Sequence, residues 1–317
     1  MHILSFEQFN RSDLLKTFKI ADQMKKIAQE RGSRQILKSE GIVLLFYQPS
    51  TRTHASFEIA SKLLGIPILY STQAANQFSS AAKGESLEDT IELFCNYPGI
   101  KVIVLRHPES GSALLASKIA DKYDVNIINA GDGTNEHPTQ ALLDLYTIFQ
   151  RKKKSMKKIK LVVAGDIEHS RTIRSLSLLF AKIFQPEEIG VCAPKGIHLP
   201  KDIEMKLKGF GVKIIKFDDL KKVVLWADFL YMTRPQIEYY KSKKLAKKFK
   251  EFRIDQKFLE DIPQGYPCQI LHPMPIDSKN FNEITAEARH HPRCKIFQQA
   301  QNGVFIRMAL LKILLNH

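Results

Sequence analysis

The sequence predicts an α/β protein with two doubly wound parallel-sheet domains joined by interdomain helices. Short runs rich in Val, Ile and Leu alternate with segments whose apolar residues recur at helical spacing. This alternation is typical of βαβ units and parallel sheets. The runs are too many for one comfortable open sheet, and a lysine-rich joint near 151–158 divides them into two groups.

The elements follow in chain order. The predicted strands are 42–46, 101–105, 125–128, 159–164, 189–192, 213–217, 228–232 and 268–271. The predicted helices are 53–64, 86–96, 112–122, 138–150, 171–184, 201–209 and 218–226, with a last amphipathic helix over 301–317. With 317 residues, the chain is long enough for two domains. We place them at 1–150 and 151–300.

Composition excludes several classes of protein. Hydrophobic residues make up 44% and charged residues 26% of the chain, which are globular values. No apolar run approaches a membrane span, and the N-terminus lacks the plan of a signal peptide. Four scattered cysteines without a CxxC pair indicate reduced thiols and a cytoplasmic location. The group His290, His291 and Cys294 lacks a fourth ligand, so we predict no metal site.

The net charge of +15 raises the alternative of a nucleic-acid-binding protein. Much of this charge lies in the runs 151–160 and 241–253, which are not interleaved with aromatic residues at a regular interval. A solvated basic surface is therefore the favoured interpretation. Such a surface would still attract acidic small molecules.

The stretch 46-FYQPSTRTHASFE-58 follows a buried strand. Its hydroxyl residues suit a simple helix cap. They also suit an anion site, because a helix start presents N–H groups and a positive dipole end, to which Arg52 adds a guanidinium. Polar clusters after several other strands favour the anion site, since ligands bind at the carboxyl ends of such strands.

Other candidate residues stand in equivalent places. Arg106 follows the strand 101–105, and His137 and Gln140 share one face at a helix start around Pro138. Ser79 and Lys83 lie on a segment predicted to be a mobile loop. A histidine and an amide so placed could polarise a carbonyl and hold an amino group; the alternative for His137 is a helix cap.

The second half repeats the plan. A Gly-Asp turn and then Ser170 and Arg171 follow one strand, while Arg234 and Gln236 follow another. The full GxGxxG fingerprint is missing, so NAD binding is disfavoured. Two arginines suit a dicarboxylate, because guanidinium pairs bidentately with carboxylate. The whole set suits transfer between two anionic small molecules by positioning and charge stabilisation.

With these residues in view, the chain resembles the aspartate/ornithine carbamoyltransferase family, and within it the aspartate-specific catalytic chains. The resemblance runs in family order over nearly the whole chain. The matching blocks are STRTxxSFE at 50–58, KGExLxDT at 83–90, LRHPxxG at 105–111, HPTQALLDLYTI at 137–148, GDxxHSRT at 165–172, TRxQ at 233–236, HPMP at 272–275 and QNGVFIRMALL at 301–311.

The resemblance implies a role for each candidate residue. The implied phosphate ligands of carbamoyl phosphate are Ser50, Thr51, Arg52, Thr53 and Arg106, with Ser79 and Lys83 supplied by a neighbouring subunit. The carbonyl oxygen would be stabilised by His137, Thr53 and Arg106. The carbamoyl amino group would be held by Gln140 and by the backbone carbonyls of Met274 and Pro275. The aspartate carboxylates would be held by Arg171, Arg234, Gln236 and Lys83.

The family also implies an assembly and a reaction. Shared active sites imply a homotrimer, regulatory chains are candidate partners, and the helix 301–317 is expected to pack back on the first domain. The resemblance implies that the two domains close on the ligands. It also implies that the neutral amine of L-aspartate attacks the carbonyl carbon and that phosphate leaves, which would yield N-carbamoyl-L-aspartate for pyrimidine synthesis. Neither a metal nor a cofactor is implied in this chain.

The sequence departs from the family pattern at a few positions. His54 stands where an arginine is common, Ala82 where a second lysine is frequent, and Gln48 and Pro49 where an acidic-small pair helps closure. A basic residue that often follows HPMP is missing. These departures bear on the closing contacts more than on the reaction.

Four alternative functions are disfavoured, and one of them is a carbamoyltransferase that uses an amino substrate other than aspartate or ornithine. An ornithine carbamoyltransferase is expected to have a cysteine in the HPMP block and an acidic pocket, whereas Arg234 and Gln236 stand here. A nucleic-acid-binding protein would explain the charge but not the clusters at strand ends. A non-catalytic relative would have lost site residues, and the principal ones are present.

Overall fold

The structure is a computed structural model that describes residues 1–30, 40–151, 156–240 and 247–315. The chain divides into two compact units, Met1–Leu143 with Gln301–His317, and Asp144–Ala300. Parts of the two predicted lysine runs, residues 152–155 and 241–246, lie outside the described residues. Among the residues that are described, none of the helices combines the length and the apolar character needed to cross a bilayer.

The first unit is built around a four-stranded parallel sheet in the order β2-β1-β3-β4. Its strands are β1 (Gly41–Phe46), β2 (Ile68–Gln73), β3 (Ile100–His107) and β4 (Asn126–Asp132). Its helices are α1 (Arg11–Gln29), α2 (Thr51–Leu64), α3 (Ala75–Phe78), α4 (Leu87–Asn96), α5 (Ser112–Ala120) and the start of α6 (Pro138–Arg151).

The second unit contains a five-stranded parallel sheet in the order β7-β6-β5-β8-β9. Its strands are β5 (Leu161–Ala164), β6 (Glu188–Cys192), β7 (Lys213–Phe217), β8 (Phe229–Met232) and β9 (Gln269–Leu271). The helices are α7 (Arg171–Phe184), α8 (Lys201–Gly209), α9 (Leu220–Trp226) and α10 (Gln256–Glu260). The last helix, α11 (Ile296–Leu315), belongs to the first unit from Gln301 onwards.

The central strands are buried along their whole length. All six residues of β1 and all four of β5 are buried. Parallel strands that are covered on both faces have continuous apolar sequences, and for this reason 42-IVLLF-46 predicts a buried strand. Each fully buried Val, Leu or Ile contributes roughly 1.5–3 kcal/mol, so these strands are the rigid part of each unit.

The predicted fold class is confirmed, since both sheets are parallel and interleaved with helices. Three elements were missed, the edge strand β2 and the helices α1 and α10. The last helix begins at Ile296, five residues before its predicted start. The segment predicted to be a mobile loop carries α3 and a 3₁₀ turn at Ser80–Lys83.

Candidate functional site

Each sheet has one point at which the strand order reverses. In the first unit, the chain passes from β1 outward to β2 and then returns to place β3 on the other side of β1. In the second unit, the same reversal separates β5 from β8. Ligands of open α/β sheets bind at the carboxyl ends of the strands beside such a reversal. Eight of the fourteen candidate residues follow one of these four strands or lie at its carboxyl end.

The loop after β1 leads into the start of α2. Ser50 occupies the N-cap position of that helix, but its side chain makes no capping hydrogen bond. Its backbone N–H donates to Gln73 Oε1 at 3.1 Å. Thr51 and Arg52 are exposed in the first turn. The hydroxyl of Ser50 is thus not used as a cap, which favours the anion site of the two alternatives.

Thr53 and His137 lie together in the first unit. Both side chains are buried, with 6% and 4% of their surface exposed, and Thr53 Oγ1 lies 3.4 Å from His137 Nε2. His137 immediately precedes α6, and its carbonyl accepts the N–H groups of Gln140 and Ala141. The backbone of His137 therefore starts the helix while its imidazole is directed to Thr53.

Arg106 is the penultimate residue of β3, the neighbour of β1. Its guanidinium donates from Nη1 to the carbonyl of Ala130 at 3.1 Å. Its own carbonyl accepts the N–H of Tyr47, the first residue after β1. Arg106 is therefore fixed at the reversal point of the first sheet, but it lies within β3 and not after it as the predicted strand 101–105 implied.

Ser79 and Lys83 belong to the segment after β2, on elements separate from those that carry Thr53 and His137. The hydroxyl of Ser79 donates to the carbonyl of Ala75 at 2.6 Å. Lys83 ends the 3₁₀ turn and is exposed. A lysine held out on a short turn is available to a ligand or to another chain.

A set of carboxylates and amides that sequence reasoning missed holds the loop before His137. Asp132 accepts the N–H of Gly111 at 2.9 Å and the amide of Asn129 at 2.9 Å. Glu136 accepts the Ser5 hydroxyl at 2.7 Å and the Phe6 N–H at 2.8 Å.

Burial raises the pKa of Glu136, although the two hydrogen bonds from Phe6 and Ser5 oppose that shift. The N-terminal segment is thereby attached to the residue beside His137. The signal available in the sequence was the acidic and amide content of 129-NAGDGTNE-136.

His54, one of the departures from the family pattern, faces the edge strand. Its Nε2 lies 2.8 Å from Ser71 Oγ on β2, and its Nδ1 lies 3.7 Å from Glu58. Burial lowers the pKa of His54, and Glu58 partly opposes this. The imidazole therefore joins α2 to β2 instead of lining the start of α2.

In the second unit, Asp166 connects the loops that follow β5 and β8. Its fully buried carboxylate accepts the Gln236 N–H at 2.8 Å, the Tyr240 hydroxyl at 2.7 Å and the His169 N–H at 3.1 Å. Burial and the hydrogen bond to Asp166 raise the pKa of Tyr240. The sequence showed this Gly-Asp turn, but its role as a hub depends on residues far along the chain.

The two candidate arginines of the second unit follow β5 and β8, the strands whose loops Asp166 connects. Arg171 is the first residue of α7, whose N-cap Ser170 accepts the N–H of Ile173 at 3.4 Å. Arg234 follows β8 and donates to the carbonyl of Pro235 at 3.1 Å. Both are partly exposed. The reversal point thus presents two cations, with Gln236 beside the second.

Met274 and Pro275 lie in the loop after β9, beside β8. The peptide bond between them is cis, and Met274 has a φ of 57°. Among the residues that the structure describes, no three His, Cys, Asp or Glu side chains are grouped as metal ligands would be.

Two family models together cover almost the whole chain. The model for "Aspartate/ornithine carbamoyltransferase, carbamoyl-P binding domain" matches residues 1–150. The model for "Aspartate/ornithine carbamoyltransferase, Asp/Orn binding domain" matches residues 157–314. The chain belongs to the aspartate/ornithine carbamoyltransferase family.

Its relatives include the chloroplastic aspartate carbamoyltransferase of Arabidopsis thaliana, 42% identical over 99% of this chain and 77% of that protein. The aspartate carbamoyltransferase catalytic subunit of Cellvibrio japonicus is 38% identical over 99% of this chain and 92% of its own length.

Solved structures of aspartate transcarbamoylases are similar throughout. The catalytic subunit from M. jannaschii has a TM-score of 0.86 and 34% identity, covering 99% of this chain and 98% of that chain. The enzyme of Trypanosoma cruzi, in complex with N-(phosphonacetyl)-L-aspartic acid, has a TM-score of 0.85 and 30% identity, covering 98% and 94%.

Proposed function

We propose that this chain transfers the carbamoyl group of carbamoyl phosphate to the amine of L-aspartate, yielding N-carbamoyl-L-aspartate and phosphate for pyrimidine synthesis. The observation that carries the proposal is the contact of Thr53 with His137 beside the uncapped start of α2, one strand from Arg106. Relatives named for this activity, which align with 99% of this chain, support it.

The first unit binds the phosphate group. Helix-start N–H groups, hydroxyls and two guanidinium groups together suit a dianion. The residues in this role are Ser50, Thr51, Arg52, Thr53 and Arg106. Ser79 and Lys83 act on the site of a neighbouring subunit, so the active protein is a homotrimer with shared active sites. The exposure of Lys83 supports this role.

The reaction is an acyl transfer without a covalent enzyme intermediate. The amine nitrogen of aspartate bonds to the carbonyl carbon, the bond from that carbon to the phosphate oxygen breaks, and phosphate carries away an amine proton. His137, Thr53 and Arg106 stabilise the carbonyl oxygen as its negative charge develops. Gln140 and the backbone carbonyls of Met274 and Pro275 hold the carbamoyl amino group.

The second unit binds aspartate. Arg171 and Arg234 pair with its two carboxylates, helped by Gln236 and by Lys83 of the neighbouring subunit. Asp166 supports this role, because it fixes the backbone of Gln236 at the reversal point. The corresponding domains are 1–150 with the helix 301–317 for carbamoyl phosphate, and 151–300 for aspartate.

We place the activity in the cytoplasm, which four free cysteines support; the plant relatives are chloroplastic. Regulatory chains are candidate partners, because bacterial relatives are named catalytic subunits.

The test measures product formation from carbamoyl phosphate with L-aspartate or L-ornithine. We expect carbamoyl aspartate and no citrulline. Arg234→Ala should raise the KM for aspartate by on the order of 10²-fold, because a carboxylate loses its bidentate partner. The matched control is Arg174→Ala, which removes an arginine of α7 that pairs with Asp202. Citrulline as the product would contradict the assignment of Arg234 to a carboxylate.

A further inference from the structure

The loop 272–283 leaves β9 and returns to the core of the second unit. Near its start it carries the cis peptide between Met274 and Pro275. The side chains of Met274 and Ile276 pack against the core cluster that includes Ile270 and Ile284. The loop is therefore anchored by apolar side chains on either side of Pro275, which itself is exposed.

A fully buried histidine–glutamate pair closes the base of this loop. His272 Nε2 lies 3.2 Å from Glu283 Oε1, and both side chains have no exposed surface. His272 Nδ1 accepts the N–H of Met274 at 2.8 Å. Because Nδ1 accepts a hydrogen bond, the ring proton is on Nε2 and is donated to Glu283. Glu283 also accepts the N–H of Asp277 at 3.2 Å.

The pair is attached in turn to the rest of the unit. The N–H of His272 donates to Gln299 Oε1 at 2.8 Å, and Gln299 Nε2 donates to Asp144 at 2.6 Å. Asp144 also accepts the Tyr231 hydroxyl at 2.6 Å. A continuous buried hydrogen-bonded chain thus runs from Tyr231 on β8 to the peptide of Met274. Such a fully satisfied network fixes one backbone geometry.

We propose that His272 and Glu283 are positioning residues that make the site selective for the carbamoyl amino group over a methyl group. The inference rests on the proposed function, in which the carbonyls of Met274 and Pro275 accept that amino group. His272 bears on the position of the Met274 carbonyl, because it holds the N–H of the same residue and is itself held by Glu283. A carbonyl oxygen accepts from an NH₂ group and gains nothing from CH₃, so selectivity depends on its placement.

The test compares carbamoyl phosphate with acetyl phosphate, which has a methyl group in place of the amino group. The measured quantities are the KM for carbamoyl phosphate and the inhibition constants of acetyl phosphate and inorganic phosphate. In Glu283→Gln we expect the KM for carbamoyl phosphate to rise about tenfold, because the amino group loses one or two well-placed hydrogen bonds. Both inhibition constants should stay within about twofold, since neither probe has the amino group.

The control is Val223→Ala, which removes core volume from the same unit without touching the network. It should lower the thermal midpoint of unfolding. It should leave unchanged the ratio of the KM for carbamoyl phosphate to the inhibition constant of acetyl phosphate. Where Glu283→Gln alone does not fold, the double variant His272→Asn with Glu283→Gln replaces both members of the pair by neutral amides and gives the same comparison.

An equal rise in the KM for carbamoyl phosphate and in the inhibition constants of acetyl phosphate and inorganic phosphate would overturn the proposal, because the pair would then be purely structural. A folded Glu283→Gln protein in which the KM for carbamoyl phosphate and both inhibition constants are unchanged would overturn it as well. A wild-type protein that forms no carbamoyl aspartate is a different result, since it contradicts the proposed function itself.

Discussion

Ser50 and Ser170 occupy equivalent positions, each at the N-cap of the helix that follows a central parallel strand. The hydroxyl of Ser170 accepts the N–H of Ile173, whereas the side chain of Ser50 makes no capping bond. A serine that does not cap leaves the first N–H groups of its helix available to another acceptor. In the proposed reaction that acceptor is the phosphate of carbamoyl phosphate.

His137 is the residue whose removal should cost most in rate. Its buried imidazole lies 3.4 Å from Thr53, and in the proposed reaction it stabilises charge that develops only in the transition state. We expect His137→Ala to lower kcat on the order of 10²-fold with a smaller change in the KM for aspartate. The measurement is steady-state carbamoyl aspartate formation at saturating carbamoyl phosphate.

The control for that variant is His291→Ala, which removes a partly exposed histidine of the second unit. It should keep wild-type kcat. A His137→Ala protein that is folded and retains kcat within about threefold would contradict a role in transition-state stabilisation.

The residues that sequence reasoning found are those that follow strands, because chain position alone places them at a sheet edge. The residues it missed act through partners that only the folded chain brings into contact. Asp166 receives the hydroxyl of Tyr240, 74 residues away. Glu283 receives the imidazole of His272 inside a folded loop. No local pattern distinguishes these carboxylates from ordinary surface ones.

At the scale of elements, the strand β2 and the helix α1 were missed for different reasons. β2 is an edge strand whose residues are mostly exposed, so 68-ILYSTQ-73 lacks the continuous apolar run of its buried neighbours. The helix α1 had a usable signal, because its buried residues Leu14, Phe18 and Ala21 follow helical spacing after an Asn10 cap.

The close approach between the residue after β5 and the residue after β8 depends on a glycine. Gly165 has a φ of 91°, and a Cβ at this position would meet the Thr233 carbonyl, which follows β8. We expect Gly165→Ala to destabilise the protein by roughly 1–3 kcal/mol and to raise the KM for aspartate, because the strain displaces the loop that carries Arg234. Chemical unfolding and aspartate kinetics measure the two effects.

Gly209 provides the matched control for that variant. It ends α8, and an added Cβ would meet nothing within 4 Å. Gly209→Ala should leave the KM unchanged and keep or slightly raise stability. Equal effects of the two substitutions would contradict the importance of the approach between Gly165 and Thr233.

At the scale of the whole molecule, the positive charge is unevenly divided. Of the 48 Lys and Arg residues, 31 lie between 144 and 300, together with 18 of the 33 Asp and Glu. The remaining 17 basic and 15 acidic residues nearly balance in the first unit. The surplus therefore belongs to the unit that we propose binds aspartate, and its field should favour the approach of a dicarboxylate.

This asymmetry predicts that salt affects the rate at which aspartate binds and does not affect the rate of the chemical step. Raising the ionic strength from about 0.05 to about 0.5 M should lower kcat/KM for aspartate several-fold and leave kcat nearly constant, because salt screens long-range attraction. Replacing three exposed lysines, Lys206, Lys208 and Lys213, by Gln should reduce that slope. A short RNA or DNA duplex tests the other use of the charge. If kcat/KM is insensitive to salt while the duplex binds at micromolar concentration with a steep salt dependence, the basic surface serves nucleic acid and not substrate capture.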